Sequence, residues 1–240
     1  MNSRANWLAA GALTALTLGA SAEVVIENAQ MRLTVGDDGG VRSLVVKGTG
    51  VECVPKGGRP VPLFSVTQDR PFNNEIKLIH PNKRTTYPAN ALRRVGDRLI
   101  VGFATAPYEA AVDVKVTDSY VTFTLADFLV DREDYDYLKM DVPPVASFRV
   151  LQLPVLDRAN FGDWLNASWD GKSAVGVVGT SPYADIDHED RDGFRILTAD
   201  LVRGRQLKGA SAALIVADGR EGFLDCMDRL ERDFDLPRGV

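Results

Sequence analysis

Val112-Asp113-Val114-Lys115-Val116-Thr117-Asp118-Ser119-Tyr120-Val121-Thr122-Phe123-Thr124-Leu125 is the stretch that decides the fold. Apolar and polar residues alternate on both sides of Thr117-Asp118-Ser119, so each arm offers one apolar face, as a half-buried strand does. The three residues between the arms have short polar side chains that hydrogen-bond their own backbone in turns. The segment therefore predicts two antiparallel strands, 109–116 and 120–128, joined by a tight connection.

Working outward, β-branched and aromatic runs of strand length recur at 24–27, 31–35, 41–46, 63–67, 75–79 and 98–103. Beyond the Pro143-Pro144 break they resume at 148–155, 174–178, 194–198 and 211–216. Gly36-Asp37-Asp38-Gly39-Gly40 and Gly96-Asp97 supply turn residues between consecutive strands. Many strands and almost no helical pattern predict an all-β protein, an antiparallel β-sandwich running as one domain over 23–218. One segment departs from this rule. Residues 221–234 place Phe223, Leu224, Met227 and Leu230 on one helical face, and Pro237 and Gly239 follow as stop signals. Residues 219–240 are expected to form a C-terminal helix and a linker toward a further domain; a helix docked on the sandwich with a short tail satisfies the same pattern.

The chain of 240 residues is 45% hydrophobic and 25% charged, which excludes disorder and a disulfide-rich miniprotein. A net charge of −5 supplies no field to gather nucleic acid or an anionic membrane, so neither is an expected partner. Two histidines and two cysteines leave few parts for a His/Cys metal centre or a histidine-based triad. Arg4, the uncharged apolar run 7–18 and Ala20-Ser21-Ala22 form the pattern of a secretory signal peptide over 1–22, cleaved after Ala22. An exported protein, periplasmic or secreted and without a stable membrane anchor, is the expectation. In an oxidising compartment Cys53 and Cys226 can pair, but Cys226 falls in the helical pattern and Cys53 follows a strand, where two buried free thiols fit as well.

Arg32-Leu33-Thr34-Val35, the Gly39-Gly40 turn, Val41-Arg42-Ser43-Leu44 and Pro60-Val61-Pro62-Leu63-Phe64-Ser65-Val66 follow one another in an order that resembles the opening of the galactose-mutarotase-like β-supersandwich. Asn73-Asn74-Glu75, Lys83-Arg84-Thr85-Thr86, Asp163-Trp164-Leu165-Asn166 and the closing Phe234-Asp235-Leu236-Pro237 are similar in character. The resemblance spans about residues 23–240 and rests on strand pattern and segment order rather than on a catalytic signature. It implies the N-terminal domain of a bacterial glycoside hydrolase, with a catalytic (β/α)8 barrel expected C-terminal to Val240 as its partner. Fold alone does not confer activity. Aldose epimerases of this fold use a pair of histidines with a carboxylate, since ring opening needs a proton given at one oxygen and taken at another. Here only His80, in an exposed-looking turn, and His188, in the acidic run 185–192, are available, and neither reproduces that arrangement.

No catalytic residues are therefore assigned. The function expected is a non-catalytic, carbohydrate-associated sandwich module of an exported glycoside hydrolase, lacking its barrel; the alternative is a free-standing enzyme acting on sugar anomers. The run 185–192 is expected to be a solvated loop. It offers hard oxygen ligands for Ca2+ but fails the EF-hand template, because Asp190 stands at the turn-glycine position and Ile196 at that of the bidentate Glu. No metal or cofactor is expected. Residues 131–139 interleave carboxylates with Tyr135 and Tyr137, a mixture suited to sugars, whose hydroxyls want hydrogen bonds and whose C–H faces want aromatic rings. Trp164 and Trp169, read on one strand, would point to opposite faces, so one of them at most lines a given surface. Asn74, Arg84 and Asp163 complete the set of candidate carbohydrate contacts.

Overall fold

The computed structural model describes residues 23–69, 72–73, 78–79, 84–104, 106, 108–130, 145–202 and 207–237. It is all-β, with antiparallel ladders throughout the pairings described and one C-terminal α-helix. Among the described residues no helix is long and apolar enough to cross a membrane. The proposed signal peptide, Asn74, His80, Tyr135 and Tyr137 lie outside the described residues.

Strands β1 (Val24–Glu27), β2 (Met31–Val35), β3 (Val41–Val46) and β4 (Val51–Glu52) form a four-stranded meander in chain order. Next come β5 (Ser65–Asp69), the short pair β6 (Phe72–Asn73) and β7 (Leu78–Ile79), β8 (Arg84–Val95), β9 (Arg98–Phe103), β10 (Tyr108–Val116) and β11 (Val121–Val130). The remainder are β12 (Val145–Leu156), β13 (Asn160–Gly162), β14 (Ala167–Trp169), β15 (Ala174–Gly179), β16 (Ala184–Arg191), β17 (Phe194–Val202), β18 (Ser211–Ala217) and helix α1 (Arg220–Asp233).

Twelve of these strands form one continuous ladder in the order β13-β14-β15-β18-β11-β10-β9-β8-β5-β12-β17-β16, which folds over into two leaves. The fold-over happens within β8. Its residues 84–88 pair with β5 and its residues 89–95 with β9, with a bulge between Ala89 and Ala91. Pro88 has no N–H to give a ladder, and a bulge adds local bend and twist, so one strand serves two sheets at this corner. The short leaf (β5, β12, β17, β16) packs on the long leaf through a cluster of phenylalanines. Phe64 stacks on Phe148 of β12 at 6.2 Å, and Phe123 and Phe128 of β11 meet that pair edge-on.

Helix α1 covers the other side of the long leaf. Phe223, Cys226 and Leu230 are buried against Tyr120, Ala213, Ile215 and Ala217. That face differs from the predicted one in a single respect: Cys226 occupies the seam where Leu224, which is exposed, was expected. Tyr120 donates its hydroxyl hydrogen to Asp233, and Arg229 donates to Ser119 Oγ at 3.0 Å, so both bonds tie the helix to the β10–β11 turn. Cys53 and Cys226 are buried free thiols in separate clusters.

The strand boundaries predicted from alternation agree closely for β1–β3, β9, β10, β15 and β18. Two long strands escaped. Arg84–Val95 is mostly polar and contains Pro88, which hides its strand pattern, and Ala184–Arg191 is a strand where the acidic composition predicts a solvated loop. The second is a correction with a physical cause. Ala184, Ile186 and His188 turn inward while Asp185 and Asp187 stay exposed, so strand alternation is present beneath an acidic composition.

Candidate functional site

The described site candidates fall on two sides of edge strand β16. On one side is the turn linking β13 to β14 at the free edge of the long leaf. Asp163–Leu165 form a single 3-10 turn closed by Asn166, which adopts left-handed φ/ψ of 44° and 49°. Asn166 is buried, and its side-chain amide donates to the carbonyls of Val177 at 3.4 Å and Thr198 at 3.3 Å, one on each leaf. The base of the turn is thereby pinned between the two leaves, and its apex must project. Trp164 stands at that apex with 95% of its surface exposed, and Leu165 beside it is 47% exposed. An indole left in water forgoes roughly 2–3 kcal/mol of burial, which makes this position unusual for its residue type.

The strand argument for the tryptophans is therefore corrected. Trp164 lies on a turn, not on a strand, whereas Trp169 on β14 is half-buried and packs on the cluster under α1. Next to Trp164, Asp163 Oδ1 lies 3.4 Å from His188 Nδ1. The imidazole meets the Phe161 ring edge-on at 4.6 Å, and the Arg195 guanidinium lies over the same ring, 4.5 Å from its centroid. Arg195 is held in turn by Asp157 at 3.0 Å and Asp190 at 2.7 Å. His188, Phe161 and Arg195 were not singled out from the sequence as one group. The available signal was the period-two placement of His188 behind Ala184 and Ile186, masked by the acids between them.

On the other side of β16, the outer face of the short leaf carries a cleft of about 680 Å³ lined by Asp69, Arg84, Asp185, Asp187 and Asp200. Register puts these together: Asp69 is opposite Arg84, and Asp185 is opposite Asp200. Arg84 donates through Nε to Asp69 Oδ1 at 2.7 Å, so this candidate is engaged in an exposed ion pair. Arg149 anchors the same face. It reaches both oxygens of Asp200 at 2.9 Å, Gln152 Oε1 at 2.9 Å and Glu189 Oε1 at 3.3 Å. Burial opposes the guanidinium charge, but the hydrogen bonds and charges of Asp200 and Glu189 outweigh it and raise the Arg149 pKa. Among the described residues no group of three or more His, Cys, Asp or Glu side chains is arranged to hold a metal ion.

The structure thus brings Asp163 and Trp164 together and places Arg84 in a separate cleft. Chemically, the Trp164 turn offers a flat apolar ring with an indole N–H, a carboxylate and an imidazole, which suits a hydroxylated ring stacked on the indole.

No family model matches the sequence, and no curated protein matches it. Among solved structures, the chain is similar to a polysaccharide lyase at 9% identity and TM-score 0.45, over 86% of this chain and 35% of that one. It is also similar to a GH31 family sulfoquinovosidase from E. rectale at 12% identity and TM-score 0.36, over 88% of this chain and 34% of that one. The chain spans about a third of the length of either, and its functional assignment rests on its own side chains.

Proposed function

We propose that the chain is a non-catalytic, carbohydrate-binding β-sandwich module of an exported glycoside hydrolase, working beside a catalytic barrel. The observation that carries this is the almost fully exposed Trp164 on a turn pinned by the buried Asn166, with Asp163 and His188 alongside. A preset aromatic platform loses little conformational freedom when a sugar stacks on it, and flanking polar groups supply orientation. Export follows from the 1–22 pattern, and mass spectrometry of the secreted protein is expected to find Glu23 at its N-terminus. Titration with a panel of neutral oligosaccharides, followed by tryptophan fluorescence, is expected to show a saturable change that Trp164→Ala abolishes. Binding that survives Trp164→Ala places the sugar elsewhere, and no binding across the panel removes the reading.

The His188–Asp163 pair favours one second reading, an enzyme acting on sugar anomers, because an imidazole beside a carboxylate can move a proton. Polarimetry of fresh α-glucose and α-galactose separates the two. The module is expected to leave the buffer rate unchanged, and an acceleration lost in His80→Ala or His188→Ala would establish the enzyme.

A further inference from the structure

A second cleft, of about 620 Å³, opens on the short leaf where β12 ends and β17 begins. Its floor is apolar, from Val54, Val61, Pro154 and Phe194, and its rim carries three cations, Arg42, Lys56 and Arg59, against one exposed acid, Asp192. The backbone explains why the cleft stays open. Strand β5 pairs with β12 only over Val145–Arg149, so Pro154, in register with Ile196 on its β17 side, has no ladder on its other edge and no N–H to offer one. The Pro55-Lys56-Gly57-Gly58-Arg59-Pro60 loop arches over the gap. Gly57 and Gly58 have φ of +87° and +76°, a left-handed pair that L side chains rarely adopt, and the loop holds Lys56 and Arg59 exposed on either side of it.

The charges on this rim are uneven in their commitments. Arg42 is paired with Asp38 at 2.7 Å. Glu52, the half-buried one of the two lining acids, has its carboxylate filled by Ser43 Oγ at 2.6 Å, Leu44 N at 2.9 Å and Val54 N at 3.0 Å. Among the described residues Lys56 and Arg59 have no carboxylate partner, in a chain whose net charge is −5 and whose arginines are otherwise mostly paired. With Arg42 and Glu52 committed, Lys56 and Arg59 outnumber Asp192, and this net positive rim over a proline and phenylalanine floor forms a receptor for a ring that is apolar on one face and carries a carboxylate at its edge. Guanidinium binds carboxylate through two parallel hydrogen bonds, lysine adds a point charge, and a cleft of this volume matches a small-saccharide site.

We infer that this cleft is a subsite for a carboxylate-bearing saccharide, a uronate, distinct from the Trp164 platform. The inference rests on the carbohydrate reading above and deepens it by naming the substrate class. Calorimetric titration with tetragalacturonate and its fully methyl-esterified counterpart keeps the sugar rings and removes only the charge. The acid is expected to bind at least tenfold more tightly in low salt, with the advantage shrinking as NaCl screens it. The Lys56→Ala/Arg59→Ala double variant, with both changes on an exposed loop, is expected to equalise the two ligands, whereas Trp164→Ala leaves the preference in place. Equal affinities, or a preference that persists in the double variant, overturn the inference. Neutral sugars that bind through Trp164 with no advantage for the acid refute this subsite while sparing the carbohydrate reading. No binding of tetragalacturonate, of its ester or of any neutral sugar refutes both.

Discussion

Strands β18 and β16 are seven and eight residues long and both lie in antiparallel ladders, yet every residue of Ser211–Ala217 is buried and none of Ala184–Arg191 is. β18 has a neighbour on each edge, β15 and β11, and a layer on each face. Ala212, Leu214 and Val216 join the sandwich core, and Ala213, Ile215 and Ala217 join the helix cluster. β16 has one ladder neighbour, β17, and its outer face meets water. The two strands show how this molecule divides its work. Where both faces of a leaf are covered, side chains serve cohesion; where one face is bare, charged residues gather, and the edge strand carries the groups a ligand can reach.

The largest test of that division is Phe223→Ala, which empties the seam between α1 and the long leaf. Its ring is so close to the sheet that a Cβ placed on Gly176 would lie 2.7 Å from it. A loss of about 3–5 kcal/mol in urea denaturation is expected, as for other buried aromatics. A loss below about 1 kcal/mol would mean that the helix is loosely attached. Arg149→Ala probes the open face. It leaves the Asp200 and Glu189 carboxylates without their shared cation, and about 1–3 kcal/mol is expected, less than for Phe223 because water reaches this group.

Asp170→Asn comes next. Burial raises the Asp170 pKa, but backbone N–H bonds from Lys172 and Ser173, the Ser173 hydroxyl and Arg158 together lower it below the ordinary carboxylate value. A carboxyl with a depressed folded pKa stabilises the fold above its unfolded pKa near 3.8 and loses that contribution as pH falls through the lower folded value. The wild type should therefore lose stability more steeply than Asp170→Asn below about pH 4 in acid titration. At neutral pH the variant should be about 1 kcal/mol less stable, because Arg158, with 9% of its side chain exposed, keeps only a weaker partner. Cys53, whose thiol burial pushes up to about 11, is expected to resist alkylation at pH 8 until the protein unfolds. The smallest effect is expected at the exposed platform: Trp164→Ala should change stability by less than about 0.5 kcal/mol while removing neutral-sugar binding. A marked loss of stability there would mean that the indole packs rather than waits for a ligand.

The two strands also differ in how they read from the chain. The run Ser211–Ala217 is apolar throughout, as a strand buried on both faces must be, and its position was legible at once. The helix and its stop signals were legible for the same reason, since their periodicity comes from what they cover. Asp163 and Trp164 were legible as candidates because residue type alone suits them to sugar. Ala184–Arg191 was not, because its inward residues are a small alanine, one isoleucine and a histidine, while its acids dominate any local average.

Local alternation and turn chemistry, which act over a few residues, were enough to establish an all-β chain with antiparallel strands and one terminal helix. The tertiary structure decided which strand would lie at an edge, where β8 would bend from one leaf into the other, and that Trp164 would be held on an exposed turn rather than in the core. Among the described residues it also left Lys56 and Arg59 without carboxylate partners beside an apolar floor. None of these is a local property, because each depends on residues more than ten positions away: Asn166 reaching Val177 and Thr198, Asp163 meeting His188, and β5 pairing with β12 only as far as Arg149. Exposure and pairing are set by what arrives from elsewhere in the chain, and the chain's local pattern carries no record of that.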